Sequence, residues 1–334
     1  MHRYTRQARF GPLGPDGQTA IEAAGAVIVG CGALGTVAAD MLARAGIGRL
    51  RLVDRDVVEL TNLHRQALLT EDDARDGLPK AVATAARLGS VRSDLVVEAV
   101  VEDLDGANAR ELLRGASVVL DGTDNFEARH VLNEACLDLG LPWVHASCLG
   151  ALAVAWPIVP GGACYACLVP DAPGPGEVAT CETEGILGPA VHAAAAMQVA
   201  EAMKLLAGRR EALLPGPASL DTWTGRMARV RAERSPSCRA CAARDWRYLG
   251  RPRDAAAIAC GRGAVQIAAT GAAADLPALR DRLRGEDGVV ANRFLVRFSA
   301  GGHEVTVFAS GRVLVRGTRD IARARAIAAR YLGP

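Results

Sequence analysis

The residues best suited to chemistry begin with a glycine-rich turn, Gly-x-Gly-x-x-Gly, formed by Gly30, Gly32 and Gly35 directly after the apolar run 26–29. This pattern permits a tight turn, brings backbone amides close to a phosphate and packs the following helix on the strand. Asp54 ends the next predicted strand, where a carboxylate can accept hydrogen bonds from ribose hydroxyls. The turn and Asp54 together predict a nucleotide site, but they suit NAD and ATP alike.

Polar residues that follow the next predicted strands distinguish between these two nucleotides. They are Asn62, Arg65, Gln66, Lys80 and Asp124. Because ligands of doubly wound sheets bind at the carboxyl ends of the strands, we expect these side chains to meet at one edge. Two cations, amides and a carboxylate suit a triphosphate with magnesium, whereas backbone amides and a helix dipole suffice for the pyrophosphate of NAD. The pattern therefore favours ATP and magnesium, and an NAD-dependent oxidoreductase remains a remote alternative.

The cysteines predict a metal site. The chain has nine, an odd number, with a polar N-terminus and no apolar run as long as a membrane span, so we expect a protein of the reducing cytoplasm. Four of the cysteines form two Cys-x-x-Cys pairs: Cys164, Cys167, Cys238 and Cys241. Four thiolates fill a tetrahedral zinc site and leave no open position, which indicates structural zinc. A redox role for one pair is the alternative.

The ordered motifs resemble the MoeB/ThiF adenylyltransferases, relatives of the ubiquitin-activating enzymes, over roughly residues 3–248. The resemblance depends on the sequence RYTRQ at 3–7, the glycine turn, NLHRQ at 62–66, TDN at 123–125 and the cysteine pairs. Members of that family adenylate the C-terminal glycine of a small β-grasp protein. The resemblance implies the same activity here, with a ThiS/MoaD-like sulfur carrier ending in Gly-Gly as substrate and pyrophosphate as product.

The resemblance also assigns roles to single residues. It implies a nucleotide-binding set made of Gly30, Gly32, Gly35, Asp54, Asn62, Arg65, Gln66 and Lys80. Within that set, Asn62, Arg65 and Lys80 would hold the phosphates and stabilise the charge of the departing pyrophosphate. Asp124 would bind magnesium, and Arg6 would reach the phosphates of a neighbouring protomer in a homodimer. A solvated N-terminal arm is the alternative for Arg6, since chain termini are often loosely held.

Cys181 and Cys260 are candidate sulfur-handling residues. A cysteine at the place of Cys181 takes part in acyl or persulfide chemistry in sulfur-carrier relatives, which requires an accessible thiolate. The neighbouring Glu182 and Glu184 would raise the pKa of its thiol, so a covalent role and a spectator role are equally open. Cys260 lies in a segment that only superficially resembles a rhodanese loop.

Alternating strands and helices over residues 1–248 predict an α/β domain with a Rossmann-like, doubly wound and mainly parallel sheet that carries the zinc knuckles. Residues 249–334 predict a separate small α+β module of unknown role. Residues 251–334 contain no lysine, 14 arginines and 7 acidic residues, a net charge of about +7. We expect this charge to favour an acidic partner, and no RNA-binding motif is recognisable.

The residues together with the resemblance therefore predict an ATP- and magnesium-dependent adenylyltransferase that activates a β-grasp sulfur carrier. The resemblance also implies a cysteine desulfurase or another sulfur donor as a further partner. Ubiquitin-like conjugation and adenylation of a peptide in secondary metabolism are the alternatives, because all these pathways begin with the same reaction. We expect no membrane partner and no direct binding of nucleic acid.

Overall fold

The computed structural model describes residues 3–173, 177–179, 181–252, 256–259, 263–268, 273–285 and 288–332, and only the backbone at 181, 182 and 256–259. The chain forms two compact units. The first contains Met1–Asp56, Leu60–Thr70 and Lys80–Pro252. The second contains Arg253–Pro334 together with two segments from early in the sequence, Val57–Glu59 and Glu71–Pro79.

An eight-stranded sheet forms the centre of the first unit within the described residues. Its strands are β1 (Gly25–Val29), β2 (Arg49–Val53), β3 (Val96–Val100), β4 (Val118–Asp121), β5 (Trp143–Leu149), β6 (Leu152–Ile158), β7 (Ala218–Asp221) and β8 (Met227–Arg229). They lie in the order β3-β2-β1-β4-β5-β6-β7-β8. The first five are parallel to one another, and β6 to β8 extend the sheet antiparallel. The predicted α/β class is confirmed.

Helices cover this sheet on both faces. Along the whole chain, the described helices are α1 (Thr5–Ala8), α2 (Gly14–Ala23), α3 (Ala33–Ala45), α4 (Glu71–Arg75), α5 (Lys80–Val91), α6 (Ala109–Leu113), α7 (Phe126–Leu139), α8 (Tyr165–Leu168), α9 (Cys181–Glu184), α10 (Gly188–Leu206), α11 (Leu276–Arg282) and α12 (Ile321–Leu332). Every residue of β1 and β4 is buried, as expected for central parallel strands with helices on both sides. In the described part of the chain, none of these helices is long and apolar enough to cross a membrane.

The second unit is built on a six-stranded sheet whose order among the described residues is β11-β12-β13-β14-β10-β9. The strands are β9 (Ala256–Ala259), β10 (Ala264–Ile267), β11 (Val290–Ala291), β12 (Leu295–Ala300), β13 (His303–Phe308) and β14 (Val313–Arg316), all paired antiparallel. Alternate residues of β12 and β13 point into one core, which includes Phe298 and Val305. The core also takes residues of α11 and α12, so this unit is an α+β module.

Candidate active site

The glycine turn lies at the carboxyl end of β1, where backbone passes so close to backbone that side chains do not fit at Gly30 and Gly35. Gly30 has φ +91°, and a Cβ there would lie 2.4 Å from the carbonyl oxygen of Gly122. A Cβ on Gly35 would lie 1.8 Å from the carbonyl oxygen of Gly30. Gly32 caps α3, and its Cβ position is open apart from Gln66 Nε2 at 3.9 Å. The turn therefore presents the N-terminus of a 13-residue helix at the predicted phosphate position.

Asp54 is held against this turn. Its Oδ2 accepts a hydrogen bond from the backbone N–H of Cys31 at 2.6 Å, and its Oδ1 accepts one from Asp56 N–H at 2.6 Å. Burial raises the pKa of the Asp54 carboxyl, and the Lys80 ammonium opposes that rise. The predicted ribose ligand is thus fixed in place by backbone donors on two sides.

Lys80 begins α5 and lies beside the same loop. Its Nζ is 3.3 Å from Asp56 Oδ2, and the Lys80 side chain is only 4% exposed. The backbone N–H of Lys80 also donates to the carbonyl oxygen of Asp56 at 2.8 Å. A lysine buried this deeply needs a partner charge, and here Asp56 supplies it.

Two further charged residues at this edge went unrecognised in the sequence. Arg55 donates to Asp103 Oδ2 at 2.7 Å and lies 3.8 Å from Asp56 Oδ1. Burial alone would lower the pKa of Arg55, but the carboxylates of Asp103 and Asp56 raise it, with a smaller contribution from Asp124. Arg55 and Asp56 directly follow Asp54, and this position could have indicated that they belong to the site. Nothing in the sequence identified Asp103 as a partner.

The segment that carries Asn62, Arg65 and Gln66 begins with a short 3-10 turn, Leu60–Asn62. Arg65 donates to Asn62 Oδ1 at 2.7 Å, so the two predicted phosphate ligands face each other. Gln66 is buried, and its Oε1 has no hydrogen-bond partner among the described residues. A buried acceptor of this kind is costly unless a donor reaches it, which is consistent with a binding position.

Asp124 is exposed in the loop that follows β4, next to the strand that leads into the glycine turn. Asp121 shapes this loop, because its Oδ1 accepts from both the N–H (2.9 Å) and the hydroxyl (2.6 Å) of Thr123. Asn125 ends the loop by capping α7, where its Oδ1 accepts from Ala128 N–H at 2.8 Å. The predicted magnesium ligand therefore lies on a short loop, fixed by these hydrogen bonds, at the carboxyl end of the strands.

The N-terminal motif divides into structural and exposed positions. Tyr4 is buried, and Gln7 donates to Gln18 at 2.7 Å and to the carbonyl oxygen of Ala45 at 2.8 Å. Arg6 lies between them on α1 and is exposed. A role for Arg6 at a neighbouring protomer remains a prediction.

The four predicted zinc ligands come together. All their Sγ atoms lie within 4.8 Å of one another, with separations of 3.8 Å for Cys164–Cys167, 3.6 Å for Cys164–Cys238 and 3.5 Å for Cys167–Cys241. Zn–S bonds of about 2.3 Å in a tetrahedron place the sulfur atoms about 3.8 Å apart. The donor set and its spacing therefore fit zinc.

Helix α7 forms hydrogen bonds with both Cys-x-x-Cys segments of this site. Asn133 Oδ1 accepts from the N–H of Tyr165, between the first two cysteines, at 2.9 Å. The adjacent Glu134, with no exposed surface, accepts from the Arg239 guanidinium at 2.6 Å and from the N–H groups of Arg247, Tyr248 and Leu249. The position of Glu134 in a helix gave no indication of this role in the sequence.

The remaining cysteines differ in what the structure describes. Cys181 lies on α9, where only its backbone is described, and Cys260 falls outside the described residues, so both sulfur roles stay predictions. Cys31 and Cys136 are buried, and burial raises the pKa of each thiol well above its ordinary value, which makes them unreactive. Cys148 is half-buried on β5.

Known proteins of one family resemble this chain. The ThiF family model matches residues 4–240. The sulfur carrier protein ThiS adenylyltransferase of Bacillus subtilis is 42% identical over 337 residues, which cover 99% of each chain. The SAMP-activating enzyme E1 of Haloferax volcanii is 41% identical over 213 residues, covering 64% of this chain and 78% of that protein. A crystal structure of Escherichia coli MccB with AMPCPP and MccA is 25% identical with a TM-score of 0.61, covering 72% of this chain and 74% of that one.

Proposed function

Because this chain belongs to the ThiF family and is an adenylyltransferase, we propose that it uses ATP to adenylate the C-terminal glycine of a β-grasp sulfur carrier protein. The observation that carries the proposal is the hydrogen-bonded connection of three predicted ATP-binding features. Asp56 bonds both to Asp54 and to Lys80, and Asp54 bonds to the glycine turn. The full-length similarity to a sulfur carrier protein adenylyltransferase supports the choice of substrate.

In this proposal the edge of the sheet binds ATP with magnesium. Asp54 accepts hydrogen bonds from the ribose, and the N-terminus of α3 faces the phosphates. Asn62, Arg65, Gln66 and Lys80 would surround the phosphate chain, and Asp124 would hold a magnesium ion, which would neutralise phosphate charge.

The reaction needs positioning rather than a general base, because a C-terminal carboxylate is already ionised near pH 7. One carboxylate oxygen attacks the α-phosphorus, the bond from that phosphorus to the bridging oxygen breaks, and pyrophosphate leaves with the electron pair. Arg65 and Lys80 stabilise the negative charge that develops on the leaving group. Arg6 adds a further cation from the second protomer of a homodimer.

A later step delivers sulfur to the activated carrier. Cys181 is the candidate for a covalent intermediate, with a cysteine desulfurase or another sulfur donor as the second partner. Zinc held by the four cysteines would stabilise the fold and would take no part in this chemistry, since four thiolates leave no open position.

Two substrate classes that the sequence left open are the alternatives to a sulfur carrier: a ubiquitin-like modifier and a peptide. The Haloferax relative is named as a SAMP-activating enzyme E1, and the MccB structure contains MccA.

Intact-mass spectrometry of the candidate substrates tests the proposal. After incubation with the enzyme, ATP and magnesium, a sulfur carrier ending in Gly-Gly should gain the mass of one AMP. Asp124→Ala should abolish this gain, whereas Cys181→Ala should preserve it and affect only a later thioester or persulfide. Adenylation of a peptide or a ubiquitin-like modifier, with every sulfur carrier unchanged, would replace the proposed substrate.

A further inference from the structure

Two early segments of the chain fold with the C-terminal module. We call Val57–Glu59 and Glu71–Pro79 the stem, because they enclose the phosphate segment, residues 60–70, which carries Asn62 and Arg65. The two halves of the stem pair with each other: Val57 forms a bridge with Pro79, and Val58 N–H donates to the carbonyl oxygen of Leu78 at 2.9 Å. The phosphate segment is therefore a loop closed by a two-stranded base.

The C-terminal sheet holds both halves of this stem. Arg316, on β14, forms an ion pair with Glu59 and lies 3.4 Å from Glu304 Oε1. On the other half, Asn292 Nδ2 donates to the carbonyl oxygens of Asp76 at 3.0 Å and Gly77 at 3.3 Å. All of these residues belong to the second unit.

Gly77 shows how closely the stem approaches the sheet. Its φ is +63°, and a Cβ at this position would lie 3.3 Å from Val290 Cγ1 and 3.8 Å from Leu295 Cδ1. A larger residue would be strained by the backbone conformation and would press against β11 and β12. The stem thus packs on the sheet through backbone as well as through side chains.

The stem leads directly into the predicted ATP ligands. Glu59 is bonded covalently to Leu60, the first residue of the phosphate segment, and Pro79 is bonded to Lys80. Next to the Val57–Pro79 bridge, Lys80 N–H donates a backbone hydrogen bond to the carbonyl oxygen of Asp56 at 2.8 Å. Fixing the stem therefore limits the movement of both ends of the phosphate segment.

We propose that the C-terminal module is a positioning element for ATP, with Arg316 and Asn292 as positioning residues that act through the stem. Their contacts restrict the phosphate segment and Lys80 before ATP binds. Binding of ATP therefore costs less conformational entropy in this segment. This inference rests on the proposed ATP-dependent reaction. It gives a role to the basic module, for which the sequence alone indicated only an acidic partner.

Three variants of the whole chain in its zinc-loaded form test this role. Asn292→Asp keeps Oδ1, which accepts from the N–H groups of Phe294 and Leu295, and removes the Nδ2 donors to the stem. Arg316→Ala removes the ion pair with Glu59, and Arg316→Lys should restore part of it. We expect Asn292→Asp and Arg316→Ala to raise the KM for ATP by roughly threefold to tenfold, while kcat and the KM for the carrier change by less than about twofold.

Arg323→Ala is the matched control, since it removes an exposed arginine from α12 of the same module and should leave every constant unchanged. Melting temperature and zinc content check that each variant is folded. If Arg316→Ala fails to fold, Asn292→Asp and Arg316→Lys still decide the question. Folded Asn292→Asp and Arg316 variants with a wild-type KM for ATP would overturn the inference.

Calorimetric titration of the wild-type protein with AMPCPP separates this inference from the proposed function. If AMPCPP does not bind, the ATP-dependent function itself is contradicted.

Discussion

Lys80 and Asp56 form an almost fully buried ion pair, with Nζ 3.3 Å from Oδ2 and side-chain exposures of 4% and 13%. Asp56 also donates its backbone N–H to Asp54, so one residue links the proposed ribose ligand with the proposed phosphate ligand. The hydrogen bond to Asp56 holds Lys80 in place and uses one of the three N–H donors of its ammonium group. A phosphate can be bound by the same ammonium group.

Lys80→Met should lower the rate of carrier adenylation by at least about 100-fold, because it removes a cation from the charge that develops on pyrophosphate. The other lysine of the chain supplies the control: Lys204 pairs with Glu201 on α10, and Lys204→Met should retain full activity. Single-turnover measurement of adenylate formation provides the comparison. Equal rates for the two variants would show that Lys80 has no role in catalysis.

Gly35→Ala should abolish binding of AMPCPP, since its Cβ would lie 1.8 Å from the carbonyl oxygen of Gly30 and force the turn apart. Gly89→Ala is the matched control, because Gly89 lies on α5 outside the proposed nucleotide-binding set and a Cβ there would meet no atom within 4 Å. Calorimetry on both folded variants measures the difference. Normal binding by Gly35→Ala would mean that the nucleotide does not use this turn.

Replacement of Cys164 and Cys238 by serine should remove bound zinc and lower the free energy of unfolding by about 3 kcal/mol or more, because structural zinc contributes folding free energy directly. Cys148→Ser, outside the cluster, should keep one zinc ion per chain. Metal analysis and thermal unfolding with and without a chelator provide the test. Full stability in the double variant after its zinc is lost would argue against a structural role.

His145 should make the protein less stable in mild acid. Its Nδ1 lies 2.7 Å from Asp121 Oδ2, and burial lowers its pKa below the ordinary value of 6.5 despite that carboxylate. As the pH falls below about 6.5, the unfolded state takes up a proton that the folded state resists, so stability falls with pH. His130, with a pKa lowered to about 4 chiefly by burial, adds to the same trend.

The variant His145→Gln should therefore flatten the decline of melting temperature between pH 6.5 and 5, but only in part, because His130 still titrates there. Exposed His192→Gln provides the control and should retain the wild-type profile. An unchanged slope in His145→Gln would show that His145 does not carry this pH dependence.

The sequence could predict the features that depend on short spacing. The glycine turn, the alternating strands and helices, and the two cysteine pairs follow from local patterns, and the structure places each of them as expected. Contacts across long stretches of chain were beyond prediction. Pairing of Glu59 with Arg316, or of Arg55 with Asp103, depends on tertiary packing that no local pattern encodes. Nothing in the sequence indicated a role for Glu134 beyond its place in a helix, yet Glu134 accepts a hydrogen bond from Arg239, which lies between Cys238 and Cys241.

Exchange of labelled pyrophosphate into ATP tests the central claim most directly, because it reports formation of an acyl-adenylate and its reversal. The assay compares an intact β-grasp sulfur carrier with the same carrier lacking its terminal Gly-Gly, in the presence and absence of magnesium. We predict exchange only with the intact tail and magnesium. Exchange that is equally fast with the truncated carrier, or no exchange with any sulfur carrier by an enzyme that binds ATP, would contradict the account.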